Sequence, residues 1–377
     1  MSFTKLVEDE WEDQMVDRNE VLIALHEVNG LGWRRLEEIV KRDTDWAQAY
    51  QFSASDWMER GLEAELALWM TQQFTLDWIE ERLERMARKR IRPVTIYDEE
   101  YPLLMKETVR PPWVLYTIGD MKLLSALSVA IVGTRIPTAY GRKVAAGLTE
   151  GLCDRGVTVV SGMARGIDGV CHEAALSCGG RTIAVLGTAI DIAYPPEHNS
   201  LYRRIAESGL IISEYPIGMK GHPGMFPQRN RIIAGISRGT VVVEADARSG
   251  SLITADAALE EDRDVFAVPG PITSPKSRGT LELLKQGAKM VTEVSDILEE
   301  YQAFLSYSGM TSEKISEVCE LTDEEQRIYD MLQQGINHFD DLLLQTSWDF
   351  GLLHSVLLSL IMKKAAVQLP GSVYKII

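Results

Sequence analysis

Six short apolar runs decide the fold: SVAIVG (128–133), VTVVSG (157–162), RTIAVLG (181–187), LIISEYP (210–216), GTVVVEAD (239–246) and DVFAVPG (264–270). Each is β-branched or apolar and ends in turn residues, and helical segments lie between them. Continuous apolar strands that alternate with helices describe a parallel sheet covered on both faces. The expected core is therefore an α/β, Rossmann-like, doubly wound parallel sheet.

Working outward, residues 1–92 are rich in Glu, Leu, Ala, Arg and Trp, with Leu76, Ile79, Leu83 and Met86 at helical spacing and no proline before Pro93. Within this helical segment HEVNGLGW (26–33) precedes RRLEEIVKR, a Gly-x-Gly turn before a helix that resembles a helix-hairpin-helix. An ordinary helical hairpin with Gly30 and Gly32 as turn residues accounts for the same stretch and is preferred. PVTIY (93–97) and WVLYTIG (113–119) read as two further strands in a turn-rich adapter. The tail reads as three helices, DEEQRIYDMLQQG (323–335), HFDDLLLQT (338–346) and DFGLLHSVLLSLIMKK (349–364), then AVQLPGSVYKI (366–376) as a hairpin. That order fits a winged helix. The recognition stretch has only Lys363 and Lys364, at its end, and Asp340, Asp341 and Asp349 crowd its start, so a protein-contact or regulatory module is expected rather than a duplex reader. The division expected is 1–92, 93–305 and 312–377.

Hydrophobic residues make up 45% and charged residues 25% of the 377, which excludes disordered and fibrous classes. The acidic amino end has no apolar core of a signal peptide, and the longest apolar stretch, Phe350 to Met362, is too short to span a bilayer. A soluble, cytoplasmic protein with no membrane partner is expected. Cys153, Cys171, Cys178 and Cys319 form no C-x-x-C pair and have no histidine at zinc spacing, so reduced thiols and no metal are expected. The net charge of −16 is concentrated at the ends: residues 101–300 carry 21 Lys+Arg against 22 Asp+Glu. A balanced middle can still present a local basic groove.

In an open parallel sheet, ligands bind beyond the carboxyl ends of the strands. The residues there include Arg135 after the first run, Gly162 and Arg165 after the second, and Phe226-Pro-Gln-Arg229-Asn230-Arg231 at a helix start. After the fifth run come Arg248, Ser249, Gly250, Ser251 and Thr254, again opening a helix. Helix amino ends favour anions, Arg adds donors matched to phosphate, and Ser249-Gly250-Ser251 can form an anion nest. A phosphate-bearing ligand follows, although some arginines are expected to pair with Asp168, Glu214, Glu244 or Asp246. Phe226 can stack on a base or anchor its loop, and Tyr194 and Tyr215 are expected to pack loops.

The first run is followed by G-T-R rather than G-x-G-x-x-G, and no P-loop, G-x-S-x-G elbow or metal-spaced His/Cys cluster occurs. No cofactor and no catalytic residue are expected, and His172, inside a helix, is expected to pack. The competing reading is a nucleotide or phosphoribosyl hydrolase with Glu214 or Glu244 activating water.

The set VAIVGTR, VVSGMARGID, TIAVLGTAIDIAYPPEHN, ISEYP, FPQRNRIIAGIS and VVVEADARSGSLITA resembles the DNA-processing protein A (DprA/Smf) family, in the family's order across roughly 128–271. The flanks are similar to the family's sterile-alpha-motif-like amino-terminal domain and winged helix. The resemblance implies a non-enzymatic single-stranded DNA-binding recombination mediator acting in natural transformation. It would protect incoming strands, help displace single-strand-binding protein, load a RecA-type recombinase, and form a homodimer. Arg135, Gly162, Arg165, Phe226, Arg229, Asn230, Arg231 and Ser249 to Thr254 occupy the motif positions. Leu281 departs from the family's frequent Asn.

Overall fold

The computed structural model describes residues 17–42, 46–304, 322–333, 338–346, 348–363, 366–369 and 373–376. Residues 1–16 of the expected helical segment, Cys319, Gly335, Lys364 and the hairpin's Pro370 to Ser372 lie outside them. Backbone proximity divides the chain into two compact units, before and after residue 305.

In the first unit, α1 (Arg18–Glu27), α2 (Trp33–Arg42), α3 (Ala54–Glu59), α4 (Ala64–Gln73) and α5 (Leu76–Arg88) form the helical region. Asp17 and Glu20 close a capping box on α1, and the next five residues, Val21 to Leu25, are buried. Then come β1 (Arg92–Thr95), α6 (Leu103–Lys106), β2 (Val114–Gly119) and β3 (Ser128–Val132). From β3 the alternation is regular: α7 (Ala139–Cys153), β4 (Thr158–Ser161), α8 (Ile167–Ser177), β5 (Thr182–Val185), α9 (Asn199–Ser208) and β6 (Leu210–Ser213). It continues through α10 (Met225–Gly235), β7 (Gly239–Val242), α11 (Gly250–Glu260), β8 (Asp264–Ala267), α12 (Arg278–Lys285), β9 (Lys289–Met290) and α13 (Ser295–Leu298).

The strands form one sheet in the order β1-β2-β6-β5-β4-β3-β7-β8-β9. All pairings from β6 across to β9 are parallel, so the doubly wound core is as expected from the six apolar runs. The sheet is wider than those runs, and mixed: β2 pairs antiparallel with both β6 and β1, and two-residue β9 closes the far edge. Pro93, which has no N–H to donate, sits in edge strand β1, where a ladder bond is not required on the free side. The chain winds outward from β3 through β4, β5 and β6, then returns to β3's other side with β7. The switch point therefore lies between β3 and β7.

The helical region buries one apolar cluster with β2 and β6, in which Leu25, Trp57 and Met86 pack with Trp113, Tyr116 and Ile211. Polar groups tie the same seam: Trp33 Nε1 donates to the Pro111 carbonyl at 2.6 Å, and Trp113 Nε1 to that of Trp33 at 3.2 Å. Glu27, almost fully buried, meets Arg85 at 3.0 Å and Arg82 at 3.6 Å.

The second unit is a winged helix, with helices Asp323–Gln333, Phe339–Thr346 and Phe350–Met362 and a hairpin of β10 (Ala366–Leu369) and β11 (Val373–Ile376). Its core gathers Ile328, Leu342, Leu353, Leu357, Leu360 and Tyr374.

Candidate nucleic-acid interface

A cleft of 740 Å³ opens at the switch point, walled by the loops after β3 and β7 and by the amino ends of α10 and α11. Besides the buried Arg229, three cations line it among the described residues: Arg135 after β3, Arg248 after β7 and Lys276 after β8. Arg135 and Arg248 are exposed and Lys276 is half-buried, and none makes an ion pair among the described residues. Asp246 shares the rim, where its carboxylate accepts the Ala247 N–H at 2.7 Å.

Ser249 caps α11, its Oγ accepting the Ser251 N–H at 3.4 Å and lying 2.8 Å from Ser251 Oγ. Asn230 Nδ2 donates to the Gly250 carbonyl at 3.3 Å, locking α10 to the same helix start. Gly250 is exposed, Thr254 is buried and both line the cleft. The amino end of α11 therefore faces the three cations, a field that favours an anion.

In the same lining the Phe226 and Tyr194 rings lie 5.2 Å apart, inclined at 45°. Phe226 is half-buried and anchored: a Cβ on Gly187 would sit 2.6 Å from its ring. Tyr194 lines the cleft and is exposed, unlike the loop-packing role expected of it, whereas Tyr215 is buried with its hydroxyl 3.3 Å from the Met225 carbonyl. Exposed Ile136 and Ile253 complete an apolar surface beside the cations.

The other expected arginines are not brought to bear on this space in the same way. Arg229 touches the cleft, but it is 5% exposed and its guanidinium is consumed inside. Nη1 donates to the carbonyls of Gly162, at 2.6 Å, and Val185, and Nε donates to Asn230 Oδ1 at 3.2 Å. Burial pulls its pKa down to about 10, partly opposed by the nearby Asp168 carboxylate. Gly162 is the floor of this strut, since a Cβ there would lie 2.6 Å from Arg229 Nη2. Asp168 accepts the N–H groups of Gly162 and Ala164 at 3.1 and 3.3 Å; its burial pushes its carboxyl upward against those contacts and the Arg229 charge.

Arg231 projects from α10 away from the cleft, paired with Glu214 and donating to the Arg110 carbonyl at 2.8 Å. Arg165, exposed, pairs with Glu197 outside the cleft lining. Its loop is nevertheless pinned beside Arg135: Ile167 N–H donates to the Thr134 carbonyl at 3.2 Å, and Gly166, at φ +82°, has no room for a Cβ against that carbonyl.

Neither candidate water-activating carboxylate is free. Glu244 is buried and accepts Thr138 N–H and Oγ1–H at 2.9 and 2.6 Å, and Glu214 holds Arg231. His172 is fully buried with Nδ1 2.7 Å from Thr182 Oγ1, and burial lowers its pKa to about 3. Leu281 lies outside the cleft, beside Ile272 and Leu284. Lys276 was not anticipated from the sequence. It stands six residues past Gly270, beyond the few residues after each run where a strand-end contact is sought, and a 3-10 turn at Pro275–Ser277 carries it back to the rim.

The family model of DNA recombination-mediator protein A matches residues 92–302, and that of the DprA winged helix domain matches 315–372. The DNA processing protein DprA of Bacillus subtilis (strain 168) is 44% identical over 211 residues, 56% of this chain and 71% of that protein. The crystal structure of DNA processing protein A from Streptococcus pneumoniae superposes with a TM-score of 0.67 at 34% identity, covering 76% of this chain and 98% of that one. The solved structure of DNA processing protein A from Helicobacter pylori, reported for its unique single-stranded DNA binding mode, gives 0.52 at 32% identity over 57% of this chain and 97% of that one. With two family models in sequence over one doubly wound sheet and one winged helix, the chain belongs to the DNA recombination-mediator protein A family.

Proposed function

We propose that the chain binds single-stranded DNA in the switch-point cleft and acts as a recombination mediator without turning over a substrate. The observation that carries this reading is the convergence of Arg135, Arg248 and Lys276, free of ion pairs among the described residues, on a cleft that also holds a capped helix start and the Tyr194–Phe226 pair. Cations and helix N–H groups suit phosphates, and an aromatic pair beside apolar Ile136 and Ile253 suits unpaired bases. Gly162 and Arg229 hold the floor, while Asn230, Ser249, Gly250, Ser251 and Thr254 shape the phosphate end. Arg165 and Arg231 flank the cleft as positioning residues through their ion pairs.

On this reading the protein protects incoming strands, helps displace single-strand-binding protein, and loads a RecA-type recombinase during natural transformation. It works as a homodimer, with residues 1–92, 93–305 and 312–377 as its division by role, and the winged helix as a protein-contact module. The hydrolase alternative has no support in the cleft, because Glu214 and Glu244 are both engaged elsewhere. Fluorescence anisotropy with labelled single- and double-stranded oligonucleotides across a salt series tests the proposal. Salt-sensitive binding that prefers single strands is expected; absence of binding at low salt overturns it.

A further inference from the structure

A second groove, of 460 Å³, lies across α10 from the cleft. α10 turns Pro227 and Asn230 to the cleft and Gln228 and Arg231 to this groove. The facing wall is the Asn29 to Trp33 turn between α1 and α2, with Arg110 from the chain ahead of β2. Among the described residues Glu214 is the only carboxylate lining it and is already neutralised by Arg231, so Arg110 is surplus positive charge. Arg110 is exposed, makes no ion pair among the described residues and lies 5.2 Å from the Trp33 ring centroid, which preorganises it. A Cβ on Gly32 would meet nothing, so the backbone there is open to an occupant, and the first-turn N–H groups of α2 have no acceptors within their helix.

The two linings share no residue, but one segment of chain runs from the groove to the cleft. The segment entering α10 gives Met219 to the groove and Pro223 to the cleft, and between them stands Lys220, exposed and without an ion pair among the described residues. We infer that this groove is a second subsite for the same single strand, which leaves the cleft past Lys220 and lays a phosphate against Arg110 beside the Gly30–Gly32 turn. The occupant is set by the shared chain segment and by charge: Lys220 on that segment and Arg110 in the groove are exposed cations without an ion pair among the described residues, as Arg135 and Arg248 are in the cleft, and suit the same polyanion. This inference rests on the cleft binding single-stranded DNA.

The test is anisotropy with oligothymidylates of about 6 and about 30 nucleotides, spanning a short and a long site. Variants R110A and Q228E are compared with R135A; Q228E adds a negative charge to the groove while leaving the Arg110–Trp33 stack in place. Both groove variants are expected to leave short-strand affinity unchanged and to weaken the long strand about fivefold, with R110A lowering the salt slope by about 1. Wild-type affinity of both groove variants for the long strand, with R135A still weakened, overturns the second subsite and leaves the cleft standing. Full affinity of R135A at both lengths brings down the cleft reading, and the subsite with it.

Discussion

Replacing Arg135 or Arg248 with alanine removes an exposed cation that makes no ion pair among the described residues. Each variant is expected to keep the wild-type melting temperature, weaken single-strand binding across sequences and reduce the slope of log affinity against log salt by about 1. Parallel anisotropy and thermal-melting measurements check both halves. Arg229→Ala has a different outcome, because that guanidinium braces the carbonyls of residues 162 and 185 and sits beside buried Asp168. Removing it leaves a buried carboxyl without its compensating charge, at a cost of about 3 kcal/mol or more in unfolding free energy by denaturant titration. All three arginines read alike in the sequence, since each stands just past an apolar run or at a helix start. What separates them is burial against carbonyls 67 and 44 positions away, which no local pattern encodes.

The cap on α11 matters twice, once for the helix and once for the cleft it closes. Ser249→Ala is expected to cost about 1 kcal/mol, seen as a lower denaturant midpoint with unchanged slope, and also to weaken binding. The strand-helix alternation was legible because buried parallel strands must be apolar along their whole length, as the six runs are. The antiparallel extension was legible as strands but not as partners of β6, since pairing across about a hundred residues leaves no local mark. Two histidines make these elements sensitive to acid. His26, 3.0 Å from the Tyr116 hydroxyl, is pulled down to about 4 and His172 to about 3, both by burial. Their folded values lie below the ordinary 6.5, so the unfolded chain takes up protons first. Stability is full above about pH 6.5 and falls below it, by about 1.4 kcal/mol per pH unit for each histidine until its folded value is reached. Urea midpoints of the first unit across that range are the check, and H172N is expected to flatten the slope if it folds.

At the scale of the whole molecule the two units have different acid limits. In the winged helix, Glu325 accepts from Lys363 Nζ at 2.5 Å, Ser359 Oγ at 2.6 Å and Thr322 N–H at 2.7 Å, contacts that hold its carboxyl down to about 2. A depressed carboxyl stabilises above its unfolded value of about 4.3 and loses that contribution as pH falls toward 2. The second unit is thus expected to keep its melting temperature from pH 7 to about 5 while the first unit already weakens, and E325Q to remove the lower drop; calorimetry across pH resolves the two. The helical region and the winged helix were readable from periodicity and element order, whereas the cluster shared by the helical region, β2 and β6 was not, because apolar spacing marks a face without naming what covers it. That cluster has a practical side. A shortened chain that began at β1 would bare Trp113, Tyr116 and Ile211 to water, an adhesive surface that invites precipitation on expression even though every residue of the cleft would still be present.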